Sequence, residues 1–190
     1  MRKNILTVGV LAAVLSVPAM ANTFNYGLGN ASIKTGAASY SGLTYNLGAN
    51  FDIAEDLVAV VDYATGTLKK TGHTNIDYGN SYVGIQYAVY AMGAAQLSLN
   101  LGSANVSAKQ GAAKVTTAIN NSGTRFGVGW STAFDETSSL AINVDRDNSA
   151  KITATSMVMA FVVGENMGLT IEAANSTDFT AYSIGLSHGF

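Results

Sequence analysis

Cysteine is absent from the 190-residue sequence, and its only proline is Pro18. Without thiols there are no disulfides and no Cys-based metal site, so the fold must rest on backbone pairing and burial. Beyond residue 18 no proline interrupts a hydrogen-bonded ladder, and a continuous sheet can keep all of its donors. Charge is also scarce, 12% of residues with a net charge of −2, and no basic run marks a nucleic-acid groove, which removes nucleic acid as a partner. After residue 21 no apolar stretch approaches the length of a membrane-spanning helix. If the chain crosses a membrane it must do so as a closed barrel, the other structure that satisfies its own backbone inside lipid.

The N-terminus has the layout of a secretory signal peptide. Arg2 and Lys3 precede an apolar run from Ile5 to Leu15, and Ala19-Met20-Ala21 follow Pro18. The run is too short to span a bilayer, and the small residues at 19 and 21 suit cleavage before Asn22. Residues 1–21 are therefore set apart from the fold, and residues 22–190 are read as one domain.

What the remaining chain has in abundance is period-two alternation. Leu43, Tyr45, Leu47, Ala49, Phe51 and Ile53 oppose Gly42, Thr44, Asn46, Gly48, Asn50 and Asp52. The second face is uncharged except for its last residue and built from small residues, unlike the Lys- and Glu-rich solvent face of a soluble sandwich. The same pattern recurs ten times, most cleanly where Phe126, Val128, Trp130, Thr132 and Phe134 oppose Arg125, Gly127, Gly129, Ser131 and Ala133. Each segment is long enough, or nearly so, for a tilted strand to cross a hydrocarbon layer. The reading is an all-β, antiparallel, up-and-down transmembrane barrel of ten strands. Weak alternation in the seventh to ninth segments leaves eight strands as the alternative. Tyr78 and Tyr82 are out of phase with Val83 to Val89, which implies either a bulge near Gly84 or two tyrosines in the lumen.

Connections alternate as well. Those at 54–56, 92–95, 135–138 and 164–168 are tight turns, whereas those at about 35–39, 69–76, 107–121, 145–151 and 174–178 read as longer loops,. The tight turns and adjoining strand ends hold Asp52, Glu55, Asp56, Asp135, Glu136 and Glu165 without a basic residue. The other side holds Lys34, Lys69, Lys70, Lys109, Lys114, Arg146 and Lys151 together with Asp77, Asp145, Asp147 and Asp178. Basic loops suit an anionic outer leaflet. Aromatic residues cluster near the segment ends, with Phe24, Phe51, Tyr87, Phe134, Phe161 and Phe190 at one level, as interfacial girdles require.

The chain resembles the small bacterial outer-membrane β-barrels, the class that includes OmpX and the membrane domain of OmpA. The likeness rests on Ala19-Met20-Ala21, on the alternating strands and on the closing "AYSIGLSHGF". There Phe190, with Leu186, Ile184 and Tyr182 on its face, looks like the C-terminal signal read by the barrel-assembly machinery; His188 stands where an aromatic or apolar residue is usual. The resemblance implies a Gram-negative outer membrane, insertion from the periplasm with chaperone help, and contact with outer-membrane lipid and lipopolysaccharide.

Little in the chain suggests chemistry. His188 and Ser187 fall on opposite faces of one strand, which rules out a dyad. His73 and Asp77 share an outer loop, as in ten-stranded outer-membrane proteases, but a second acidic pair is missing. The glycine-rich "GLGNAS" and "GVGWST" lie inside strand patterns with no following helix, so they do not read as phosphate loops. The inward parity holds the ionisable Asp62, Arg125 and Glu172 among small residues, and these either form a structural network or line a wet passage. The expected function is a small, cofactor-free, porin-like channel for ions or small polar solutes through a narrow polar lumen. The alternative is a non-conducting barrel acting through its basic outer loops. A soluble exported β-protein and an enzyme are the weaker readings.

Overall fold

The structure, a computed structural model, describes residues 22–35, 38–112, 115–148 and 150–190; the expected signal segment lies outside them. All of the expected strands are present: β1 (Asn22–Thr35), β2 (Ala38–Ala54), β3 (Leu57–Leu68), β4 (Ile76–Met92), β5 (Ala95–Ala112), β6 (Val115–Ala133), β7 (Ser138–Asp147), β8 (Ile152–Gly164), β9 (Met167–Asn175) and β10 (Phe179–Gly189). Each pairs antiparallel with its sequence neighbours, and β1 closes on β10, so the sheet is a ten-stranded barrel without a seam. Closure removes the edges that an open sheet would present, which a chain lacking disulfides and proline breaks needs.

The tight-turn end is built from local chemistry. In the β6–β7 turn the Thr137 N–H and hydroxyl both donate to Asp135 Oδ1, at 2.7 and 2.8 Å. These bonds hold the Asp135 carboxyl below its usual range, in an Asx-type turn. Register shifts lie between Asp52 and Ala54, Ala88 and Tyr90, and Val162 and Gly164, all near this rim. No shift occurs at Gly84. Tyr78 and Tyr82 are instead two buried tyrosines facing the lumen, the second of the alternatives that their phase allowed.

The strands are staggered as they close. A row of paired residues beginning at Thr23, near the tight-turn end of β1, passes through Asn50, Val60, Gly84, Gly102, Arg125 and Asp147 to Ile152. Ile152 is the first residue of β8, at the opposite end. Barrel closure demands such stagger and tilt.

The barrel has two zones. In the half near the tight turns, outward Phe24, Tyr26, Leu47, Leu99, Val128 and Ile184 are exposed, while inward positions are mostly Gly, Ser, Thr, Asn and acids, with the apolar Val58, Val60 and Val158 among them. In the other half the pattern inverts. Ile33, Leu68 and Ile76 point inward with 0% exposure, and Tyr40, Val106 and Phe179 join them. Outward in this half, each of the five outer hairpins carries a polar cross-strand pair: Ser32–Ser39, Thr67–Asp77, Asn105–Asn120, Arg146–Thr153 and Thr180–Asn175. An exterior apolar over one band and polar above it matches a hydrocarbon layer with water beyond it. Above that layer the barrel packs as a soluble one would.

Two of the expected long loops, 35–39 and 107–121, are strand wherever they are described. β5 and β6 have 18 and 19 residues and run through most of 107–121, joined at 113–114. The loops expected at 145–151 and 174–178 are shorter than expected, since 145–147 and 174–175 still continue the ladders; 69–75 is the one extended connection among the described residues. Polar outward positions there read as loop in sequence, although they are simply strand above the apolar band.

Val128 tests the face assignment. It pairs with the outward Leu99 and Val144, and Val128→Arg is expected to cost about 2–4 kcal/mol in lipid vesicles, as for a basic residue on the mid-membrane exterior. Its neighbour Gly127 faces inward, and the sequence alone suggests that Gly127→Ser would be cheap. In the structure a Cβ there would meet the Asp145 carboxylate and, at 2.6 Å, the Val144 carbonyl oxygen. Gly127→Ser should therefore cost about 1–3 kcal/mol as an overpacked position. Urea titrations of both variants check these values.

Candidate functional site in the barrel interior

Three layers fill the lumen. The first is a polar chamber of about 70 Å³, whose inward lining includes Asn25, Asn46, Asp62, Asn80, Thr170, Glu172 and Ser183. Glycines make the room: a Cβ at Gly48 would lie 2.6 Å from Asp62 Oδ1, and one at Gly185 would lie 2.8 Å from Thr170 Oγ1. Ser183 Oγ donates to Glu172 Oε2 at 3.3 Å. Asp62 Oδ2 and Asn46 Oδ1 are buried with no protein donor in reach.

The second layer is an ion-paired belt. Arg125, 3% exposed, sends Nη2 and Nε to Asp147 Oδ2 at 2.9 and 3.3 Å. Its guanidinium stands 4.9 Å from the centroid of the Tyr82 ring, a cation–π distance. Asp147 Oδ1 also accepts from the Ala150 N–H at 3.1 Å, which ties the belt to the β7–β8 connection. Asp145 lies over Gly127 and accepts from Asn100 Nδ2 at 3.4 Å. Tyr82 itself lies across Gly84 and Gly102, which a side chain at either position would obstruct.

The third layer is apolar. Ile33, Leu68, Ile76, Tyr78, Val106 and Phe179 form a buried cluster at the outer end, with Gln110 Nε2 donating to the Tyr40 hydroxyl at 3.0 Å. This cluster interrupts the polar conduit expected from the small inward residues.

Asp62, Arg125 and Glu172 all face inward, but they do not form one triad. Asp62 and Glu172 share the chamber, whereas Arg125 belongs to the belt with Asp147. Asp145 and Asp147, which the sequence reading placed on the outer side, are buried in β7 at 5% and 4% exposure. The alternation Leu140, Ile142, Val144 extrapolates to an inward 145 and 147 and was the available signal; the polar stretch "DRDNSAK" masked it. His73 and His188 are not brought together: His73 lies in the outer connection, edge-on to Tyr40 at 6.0 Å, and His188 is outward near the other end. Among the described residues no group of three or more His, Cys, Asp or Glu could hold a metal ion.

Along β10 Tyr182, Ile184 and Leu186 point outward on one face that ends at Phe190 on the tight-turn rim; the Phe190 ring lies 6.4 Å from Phe24 and 6.5 Å from Phe51. The Phe190 N–H donates to the Asn22 carbonyl at 3.1 Å. The terminal residue is thus part of an aromatic girdle at the β1–β10 closure.

This architecture is that of the small outer-membrane β-barrels. Neisserial surface protein A is similar at a TM-score of 0.52 and 14% identity, over 90% of this chain and 97% of that one. The β domain of the Bordetella autotransporter BrkA is similar at 0.52 and 11%, over 90% and 100%. OprG of Pseudomonas aeruginosa aligns at 0.46 and 14%, over 90% and 97%. Identities of this size speak for the fold alone. No protein-family model matches the sequence, and no curated protein matches it.

Proposed function

We propose that the protein is an integral barrel of a Gram-negative outer membrane, exported by a cleavable signal peptide, closed to solutes at rest and acting at its external rim. The observation that carries this reading is the apolar outer layer, in which Ile33, Leu68 and Ile76 have no exposed surface inside the barrel. Ions do not cross a packed apolar layer without its rearrangement. The outward polar pairs and the exposed Lys34, Lys69, Lys109 and Lys151 would meet lipid headgroups and lipopolysaccharide. Above them the β5–β6 hairpin extends ten residues, 115–124, beyond the last β6–β7 pair at Arg125–Asp147. Phe190 with Leu186, Ile184 and Tyr182 would be read by the barrel-assembly machinery, after delivery by periplasmic chaperones.

A narrow cation-preferring channel is the second reading, favoured by the acid-lined chamber beneath the apolar layer. It requires that layer to move. Planar-bilayer recording separates the two: the refolded wild type should give no steady single-channel current, and ohmic steps would overturn the closed-barrel reading. Orientation is tested on intact cells, since a chain without native cysteine gives clean labelling. Asn120→Cys on the projecting hairpin should react with a membrane-impermeant maleimide while Glu55→Cys in the β2–β3 turn does not, and the reverse pattern would refute the assigned topology.

A further inference from the structure

The chamber has a donor set that neither a closed barrel nor a water-filled pore requires. Its inward oxygens come from Asn25, Asn46, Asp62, Asn80, Thr170, Glu172 and Ser183, and no Lys, Arg or His lines it. These residues sit on three adjoining rows of the sheet: Thr170, Gly185, Gly27, Asn46, Ala64 and Asn80 form the middle one, Ser187, Asn25, Gly48 and Asp62 the row on one side of it, and Glu172, Ser183, Gly29 and Thr44 the row on the other. Glycines in these rows let the longer side chains converge. A second observation is independent of the count of acids. Asp62 is 9% exposed, lines the chamber and leaves Oδ2 without a donor, and Asn46 Oδ1 beside it is in the same state. Two buried acceptors facing one cavity call for a positive or donating occupant, since an uncompensated buried carboxylate is costly.

Arg125 offsets Asp62 only in part, since its charge reaches that carboxylate from the neighbouring belt. Its guanidinium is engaged by Asp147 and Tyr82 and lies near Asp145, so the acids Asp62, Asp145, Asp147 and Glu172 share a single base among the described inward residues. Electrostatics therefore favours a divalent over a monovalent ion. All-oxygen ligands select hard cations over those that prefer imidazole or thiolate. A mixed, irregular set of carboxylate, amide and hydroxyl oxygens suits the flexible coordination of Ca²⁺ better than the strict octahedron of Mg²⁺. A volume of about 70 Å³ accommodates an ion with a few waters completing its shell. We propose that the chamber between Asp62 and Glu172 is a Ca²⁺-binding site inside the barrel.

The test is equilibrium dialysis of the refolded chain, first stripped with chelator, against radiolabelled Ca²⁺ up to about 1 mM, the weak end of extracellular calcium modules. One ion per barrel should be retained in the presence of excess Na⁺. Asp62→Asn and Glu172→Gln should each weaken uptake by at least the roughly 10–100-fold that loss of even an outer-shell partner costs a metal site. Asp56→Asn, in the exposed β2–β3 turn, should leave it unchanged. A Ca²⁺-dependent rise in Tm, present in the wild type and absent in Asp62→Asn, is the companion readout. Absence of uptake by the wild type, as when Asp62 keeps its own proton, would overturn the proposal; so would equal uptake by the wild type and both chamber variants. Should Asp62→Asn fail to refold, Thr170→Val carries the same expectation from the opposite wall.

Discussion

Arg125→Ala is expected to lower folding stability by about 3–5 kcal/mol, the cost of removing one partner from a buried ion pair. Several features put it at the top of that range. The guanidinium bonds one oxygen, Asp147 Oδ2, through both Nε and Nη2, and it packs on the Tyr82 ring. Deleting it leaves Asp147 and Asp145 buried with no base among the described inward residues. Arg125→Lys should recover part of the loss, since it restores charge but not the planar fork that bonds and stacks at once. The double variant Arg125→Ala, Asp147→Ala should be less damaged than the sum of the single ones, because neither change strands the other's charge. Urea unfolding in vesicles measures all four. A loss below about 1 kcal/mol for Arg125→Ala, the value of an exposed pair, would mean that the belt is solvated and the interior open.

Phe179→Ala should cost a similar amount, about 3–5 kcal/mol, because the side chain is fully enclosed and its removal leaves a cavity in a layer that cannot collapse onto it. Phe179 is 2% exposed and packs in one cluster with Ile33, Leu68, Ile76 and Tyr78. Here stability and function are read together. If the apolar layer is what closes the lumen, Phe179→Ala combined with Ile76→Ala should produce bilayer current steps that the wild type lacks, carried mainly by cations given the acids beneath. A variant that is destabilised yet silent would assign the layer a structural role alone and place any barrier deeper, at the Arg125 belt.

The correspondence between sequence and structure differs from one feature to the next. Strand count, strand parity and barrel closure were legible because alternation is local: Leu99 and Val128 point outward whatever their neighbours do. The two lumenal tyrosines were legible as one of two alternatives. The apolar outer layer leaves a trace in the sequence. At Ile76, Tyr78 and Val106 the apolar parity switches to the inward side, with Asp77, Gly79, Ser107 and Lys109 outward, and that switch marks where lipid gives way to water on the barrel's exterior. Read as loops, those residues lost their parity.

Partnership inside the lumen was not legible at all. Arg125 meets Asp147 because β6 and β7 pair in that register, and Asp62 shares a cavity with Glu172, more than a hundred positions away in sequence, because β3, β2, β1, β10 and β9 are contiguous around the wall. By itself the sequence determined the faces, since a period of two is a property of each strand. Only the tertiary structure decided which inward side chains converge, because that depends on the stagger between strands, a collective quantity set when the barrel closes.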